Sequence, residues 1–281
     1  MIITSNVFYR MIINKENKFV IYISNTQINI MEKNPGCQWV VDGFWKVPSC
    51  WQQLIIFSII LSKESMLFPF CYVLADSKTE ALYTEVIENV MMLLRKSIKH
   101  EQLTNLIVNV DFEIGLINAV QEIIKPSKLI GCFFHYTQCL WRKANEMGLR
   151  KKEKKLMTMQ LILSCQFLCF VSFDRIFTIW NQIKENFSPL KFFGEFISYF
   201  EKNWLSEKIR FWNYSDIYGK ENLKPQLHIT NNYLESFNHL ILLQNGMVNF
   251  FLNNFEYNLN FLEITSQFKG VPYFAGRSRK P

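Results

Sequence analysis

Residues 38–74 read QWVVDGFWKVPSCWQQLIIFSIILSKESMLFPFCYVL, and this stretch decides the fold. It holds three apolar runs set apart by polar breaks: Gln38–Val47, Leu54–Leu61 and Met66–Leu74. The first alternates and is rich in Val and aromatic residues. Short runs with such breaks are adjacent strands of one sheet. Proline has no amide proton to give a ladder, so Pro69 places the third strand at an edge or delays its start.

Working outward, a helix begins at Ser77-x-x-Glu80, which has the form of a capping box. Leu82, Val86, Val90 and Leu93 then recur at helical spacing and give one buried face. A fourth strand, Leu106–Val110, ends at Asp111. A second helix follows, with Ile114, Ile117, Val120 and Ile124 on one side, and stops at Pro126. A fifth strand, Lys128–Phe134, ends at His135. The order β-β-β-α-β-α-β implies a mixed sheet with helices packed on it, an α/β fold.

From Tyr136 to about His228 only helical patterns remain: Thr137–Met147, Leu156–Leu168, Phe173–Asn186 and Phe192–Trp204. A last helix begins around Thr230-Asn231-Asn232 and carries Leu234, Phe237 and Ile241 on one face. The expected organisation is a strand and helix lead-in over 1–36 and an α/β core over 37–135. A helical insertion occupies 136–229, a core-completing helix with a helical segment 230–264, and a basic polar tail 265–281.

The 281 residues are 49% hydrophobic and 16% aromatic, which excludes disorder as the main state. Ten Gly and eight Pro exclude collagen-like and linker-dominated chains. A net charge of +7 is a weak vote for an anionic partner. Seven scattered Cys do not form a secreted disulfide framework. The opening MIITSNVFYRMIINKENKF has no continuous apolar core, so a signal peptide is not expected and an intracellular protein is. The uncharged stretch Leu156–Phe173 is interrupted by Thr158, Gln160, Ser164, Gln166 and Ser172. It reads as a buried helix rather than a membrane span, and no membrane partner is expected.

Three carboxylates stand out. Asp42 lies inside a strand, where Asp is depleted. Asp111 ends a strand, and the carboxyl ends of strands build sites in open α/β sheets. Glu235 sits just after the start of the last helix. Converging, the three would suit hard divalent cations, which take oxygen ligands. Each also has a purely structural reading: Asp42-Gly43 as a type I′ hairpin turn, Asp111 as a helix N-cap, Glu235 as the far half of a capping box with Asn232.

Longer stretches carry a family resemblance. WVVDGFWKVP around Asp42, LFPFCYVLADSKTEALY, and VDFEIGLINAV around Asp111 are three of them. GCFFHYTQCLWRK, YFEKNWL and TNNYLESFNHLI around Glu235 are the others. In order and spacing the chain resembles the transposase domain of Mutator-like elements, a DDE-type, ribonuclease-H-like group, over about Lys18 to Leu243. The resemblance implies a ribonuclease-H-like core with a helical insertion before the last acid-bearing helix. It implies a catalytic triad of Asp42, Asp111 and Glu235 holding two Mg²⁺ or Mn²⁺ ions, DNA strand cleavage and strand transfer, and a nuclear location. The partners it implies are transposon ends and target DNA; a homo-oligomer and a separate DNA-recognition subunit are compatible with it. Gly43-Phe44-Trp45 stands where the family commonly has Gly-Thr-Phe, which puts a large aromatic beside the site. The family's flanking zinc modules have no Cys/His counterpart here, which makes a bare catalytic domain, a decayed copy or a fragment the expectation.

The resemblance includes Cys132-x-x-His135. That pair, with Cys139 as a third, would supply zinc ligands, but a structural site needs four and no second pair is near in sequence. Buried side chains at a strand end are the competing reading. His239 shares a helical face with Glu235, and Asn231, Asn232 and His239 are candidates for supporting that carboxylate or a phosphate. Between 142 and 155, Arg142, Lys143, Arg150, Lys151, Lys152, Lys154 and Lys155 face only Glu146 and Glu153. Such a run gives sequence-independent, salt-sensitive DNA affinity, or is a solvated helix face. Three functional classes follow: a metal-dependent DNA transposase, an inactive transposase-derived DNA-binding protein, and an interaction module built on the helical block.

Overall fold

The structure, a computed structural model, describes residues 7–13, 18–34, 36–44, 51–61, 66–151, 153–218 and 229. Glu235, Asn231, Asn232, His239 and Lys152 lie outside the described residues, as do the helix expected from Thr230 and the tail from 265.

Seven strands form one mixed sheet among the described residues. They are β1 (Val7–Ile13), β2 (Lys18–Ser24), β3 (Trp39–Phe44), β4 (Gln53–Leu61), β5 (Met66–Ala75), β6 (Ile107–Val110) and β7 (Lys128–Gly131). Their spatial order is β1-β2-β5-β4-β3-β6-β7. Pairing is antiparallel from β1 through β3, then parallel from β3 to β6 and from β6 to β7. The lead-in strands thus belong to the same sheet as the core, extending it beyond β5.

Alternation along β3 splits its side chains between two faces. Trp39 and Val41 pack with Ile55, Phe57, Phe70 and Val108 in the main core. That face is covered by α1 (Asn25–Lys33), α2 (Glu80–Leu94) and α3 (Ile114–Ala119), which present Ile28 and Met31, Leu82, Val86 and Val90, and Leu116 and Ile117. Val40 turns to the other face and clusters with Ile56, Ile60 and Tyr72.

Several local expectations shift. β5 is an interior strand, yet the ladder with β2 reaches it only from Tyr72 onward, and Pro69 sits at a register shift opposite Ser58. Proline is tolerated there because no second neighbour needs its amide. Helix α2 is capped by Thr79, whose hydroxyl accepts from Leu82 N, rather than by Ser77. Glu80 accepts from Asn118 Nδ2 on α3 instead of closing a capping box. Ile114 is exposed, whereas Ile117, Val120 and Ile124 are buried as the periodicity requires. The chain after Ala119 widens into a π-turn through Ile124, closed by Lys125 at φ 51° ahead of Pro126.

The fifth strand is shorter than the sequence implies. β7 ends at Gly131, and α4 (Phe133–Glu146) begins at once, so His135 stands in a helical first turn. The helical block continues with α5 (Lys155–Phe167), α6 (Ile176–Phe187), α7 (Gly194–Asn203), α8 (Ile209–Trp212) and α9 (Ser215–Tyr218). Its core is aromatic: Tyr136 stacks on Trp212 at 5.2 Å and meets Trp204 edge-on at 4.8 Å, while Trp180 stacks on Phe200 at 4.6 Å. Trp180, Trp204 and Trp212 therefore serve the core of the block, and Trp141 is only partly buried against it. Tyr214 Oη donates to Gly131 O at 2.7 Å, tying the block to the end of β7.

Gly131 has a second constraint. A Cβ placed there would lie 2.3 Å from Phe112 Cζ, so the ring occupies the space a side chain would need. Gly131→Ala is expected to destabilise the protein by about 1–3 kcal/mol, the usual range for overpacking. Urea unfolding should show a lower midpoint at unchanged slope, and an unchanged midpoint would show that Phe112 can move aside freely.

Candidate functional site

The parallel β3–β6 pairing sets the site. Val41 is level with Val110, and the residues that follow are Asp42, still in β3, and Asp111, one past the end of β6. Such strands lie about 4.8 Å apart. Val110 is in turn level with Gly131, and Cys132 N donates to Val110 O at 2.7 Å, so Cys132 continues the row. Asp42 is not in a hairpin turn, because the ladder with β4 runs on through Gly43 and Phe44. It is 3% exposed, on a face it shares with Val40. A carboxylate there is held against the desolvation of its charge.

Asp111 is half-buried and bends the chain locally: its Oδ1 accepts from Glu113 N at 2.9 Å. It is not the N-cap, which is Glu113, so one carboxylate oxygen is used in the turn. Burial raises the Asp111 pKa, opposed by the Glu113 amide and by Lys78. Glu113 is likewise raised by burial and by repulsion from Asp111, and lowered by Lys78 and the Tyr83 hydroxyl. Lys78, in the loop between β5 and α2, is lowered by burial, while Glu113, Asp111 and Asp42 together hold it up. One ammonium is therefore within electrostatic reach of all three acids.

A buried relay backs this arrangement. Gln53, fully buried at the start of β4, donates through Nε2 to Ser77 O at 2.7 Å and accepts from Tyr83 Oη at 3.1 Å. A Cβ on Gly43 would come within 3.0 Å of Gln53 Oε1, so the residue after Asp42 is hemmed in by the same glutamine. Lys78, Glu113, Tyr83 and Gln53 escape a reading of the sequence alone. Their signals are faint: a glutamine at the start of an apolar strand, an acid two residues after Asp111, and a lysine in the loop entering α2.

Beyond Asp111, Cys132 is fully buried and His135 partly so. Burial, assisted by the Arg142 charge, pushes the His135 imidazole down to about 4, which keeps it neutral at pH 7. Burial also raises the Cys139 thiol. Among the described residues no group of three or more His, Cys, Asp or Glu side chains is placed to hold one metal ion. Asp42 and Asp111 supply the hard oxygen donors that Mg²⁺ or Mn²⁺ takes, but as a pair whose third expected member, Glu235, lies outside the described residues. Phe133 N, in the first turn of α4, donates to Ile229 O at 2.7 Å. That bond holds the chain one residue past the Asp42–Asp111–Cys132 row, six positions before Glu235.

Along the basic run, several cations already have local partners. Arg142 Nη2 donates to Gln138 Oε1, Lys143 pairs with Glu146 at 3.2 Å, Arg150 lies over Trp141 and Lys154 over Phe192. Lys151 and Lys155 are exposed. Among the described residues no helix is long and apolar enough to cross a membrane. No protein-family model matches the chain, and no curated protein matches it.

The raised Asp111 pKa has a defined consequence for stability. A carboxyl whose folded pKa lies above its unfolded value of about 4 favours folding when protonated, and that contribution is lost as the pH rises through the folded pKa. Asp111→Asn keeps the acceptor for Glu113 N and removes the buried charge. In chelator, its melting temperature should exceed that of the wild type at pH 7, and the gain should vanish well below pH 4. A variant less stable at pH 7 would show that the charge is better compensated than its burial implies.

Proposed function

We propose that this chain is a DDE-type, ribonuclease-H-like DNA strand-cleaving and strand-transferring domain of the Mutator-like transposase kind. The observation that supports the reading is the parallel pairing of Val41 with Val110, after which Asp42 and Asp111 are the next residues of their chains, with Ile229 tied to Phe133 just past β7. Two further features support it. Strands β3, β4 and β5 form an antiparallel meander with β6 and β7 added in parallel on the β3 side, an order that suits a ribonuclease-H-like sheet. The helical block enters immediately after β7, where the resemblance calls for an insertion.

In this reading Asp42, Asp111 and Glu235 would hold Mg²⁺ or Mn²⁺. The ions would supply Lewis-acid activation of the phosphodiester and of the attacking hydroxyl. The chain's own residues have separate tasks. Gly43 and Gln53 fix the end of β3 and thereby Asp42. The Glu113 amide orients Asp111 through Oδ1. Lys78 offsets carboxylate repulsion when no other cation is near. His135, neutral at pH 7, is not a phosphate-binding cation in this reading. The exposed Lys151 and Lys155, with Lys152, supply non-specific attraction to the DNA backbone. A DNA-binding descendant without cleavage activity is the second reading.

Asp42→Asn preserves size and removes one anion from the row. Mg²⁺- or Mn²⁺-dependent nicking of a supercoiled plasmid should fall by orders of magnitude, while DNA binding holds or improves. Equal nicking by the wild type and the variant, or nicking that survives chelator, would remove the catalytic assignment. Nicking by neither protein under any metal would leave the DNA-binding reading in its place.

Replacing Lys151, Lys152, Lys154 and Lys155 together by Ala should weaken binding equally across DNA sequences. The dependence of log K on log salt should flatten by about 0.9 for each phosphate that the variant no longer neutralises. A titration with an unchanged slope would reduce the run to a solvated surface.

A further inference from the structure

The fold redistributes the cations of the helical block. Of the basic run between 142 and 155, Arg150 lies over Trp141 and Lys154 over Phe192. Lys143 turns instead to α7, where its ammonium stands 5.5 Å from the ring centre of Tyr199. Tyr199 Oη accepts from Trp204 Nε1 at 3.2 Å. Over the Trp204 ring, at 5.8 Å, stands the ammonium of Lys208, which comes just before α8 and outside the run. Two lysines far apart in the chain are thereby seated on one hydrogen-bonded pair of aromatic side chains.

That pair lies next to the acids. The Trp204 ring meets Phe112 edge-on at 5.1 Å, and Phe112 directly follows Asp111. The two ring contacts put the Lys208 ammonium within about 11 Å of the Phe112 ring. A DNA strand covers that distance in roughly three nucleotides, at about 3.4 Å of rise each. Helix α4 adds a third cation on the same side: Arg142, exposed and braced by Gln138 Oε1 at 2.9 Å. The half-buried Cys139 of that helix marks where the elements meet. Burial raises its thiol, and the charges it feels after that are Arg142, Asp111 and Lys208.

The opposing acids are weakly held. Glu146 pairs with Lys143 at 3.2 Å, but both side chains reach solvent, and such a pair gives way to a phosphate at little cost. Glu207, beside Lys208 in sequence, is exposed. A polyanion approaching the Asp42–Asp111 row meets carboxylate repulsion, and cations flanking the row offset it. An ammonium already seated on a ring also has less freedom to lose when it takes a phosphate.

We propose that Arg142, Lys143 and Lys208 form a binding track for the backbone phosphates of duplex DNA, running along the Tyr199–Trp204 pair toward Asp111. The inference rests on the reading of the acid row as a site that meets DNA. To the exposed lysines of the run it adds contacts that lie beside the chemistry, one of them from outside the run.

Anisotropy of a short fluorescent duplex of arbitrary sequence, titrated with the full chain in chelator over a range of salt, tests the track without any need for cleavage. The triple variant Arg142→Gln, Lys143→Gln, Lys208→Gln should flatten the dependence of log K on log salt by about 0.9 for each charge removed. Lys208→Gln alone should give about a third of that change at an unchanged thermal midpoint, and Lys208→Arg none. The control is Arg95→Gln, Lys96→Gln, Lys99→Gln, which removes as many charges past the far end of α2. The near end of that helix, at Glu80, lies against Gly115 just beyond Asp111, and its 15 residues span roughly 22 Å at about 1.5 Å each. The control should keep the wild-type slope. A triple variant that melts early is replaced by the single variants Lys143→Gln and Lys208→Gln, each with its own share of the change. Folded variants with the wild-type slope overturn the track and leave the DNA reading standing. A control that flattens as much as the triple variant also overturns it, since net charge alone then accounts for the effect. A wild type that binds no DNA overturns the track together with the reading beneath it.

Discussion

The ring of Phe112 against Gly131 is the contact on which the rest of the molecule depends. Phe112 belongs to two cores at once: it packs against the sheet-and-helix core and against the aromatic core of the helical block. It reaches the second through Trp204, edge-on at 5.1 Å, and Tyr136 at 6.4 Å. Because Phe112 directly follows Asp111, the packing that joins the two halves also fixes the end of β6. The absence of a side chain at residue 131 is what allows the ring to come down onto β7. A single steric condition thus sets both the seam of the fold and the position of an acid.

The second governing condition is electrostatic. Three acids, Asp42, Asp111 and Glu113, share the neighbourhood of one half-buried lysine, and burial raises Asp111 and Glu113 while lowering the lysine. All these shifts oppose charge separation, so the local arrangement favours a less ionised state than water would. Groups with shifted pKa values gathered at strand tips are a common mark of sites, and structural ion-pair networks shift them as well. The nearby imidazole of His135 is also held neutral by its surroundings. The charge that balances the acids within the described residues therefore comes from Lys78 rather than from the histidine.

The sheet is largely legible in the sequence because strand identity depends on local periodicity. The apolar runs at Leu54–Leu61 and Met66–Leu74 are β4 and β5, with ends displaced by at most one residue. The departures fall where a tertiary contact overrides a local signal. Pro69 suggests an edge strand, and β5 is interior, because the strand changes neighbours along its length. The apolar GCFF continues the β7 pattern, yet the helix starts within it, since Phe133 and Phe134 suit either period and only packing chooses between them. Of the site, Asp42 and Asp111 can be picked out because each is out of place in an apolar context. Lys78 and Glu113 cannot, because nothing in their immediate sequence marks them; only the meeting of the β5–α2 and β6–α3 loops gives them a common neighbourhood. For α5, length and apolarity can be read from the residues, but not how many of its faces the fold covers.

The helical block has a topology that suits an insertion. It leaves the sheet at Phe133 and returns at Ile229, and those two residues meet in one backbone hydrogen bond. That bond also satisfies one of the amides that every helix start leaves without an intrahelical partner. With its two ends joined, the block is held at the β7 tip, and the loops between its helices can vary in length at little entropic cost. The part of the block that meets Phe112, through Tyr136 and Trp204, is the part that stays coupled to the strand tip bearing Asp111.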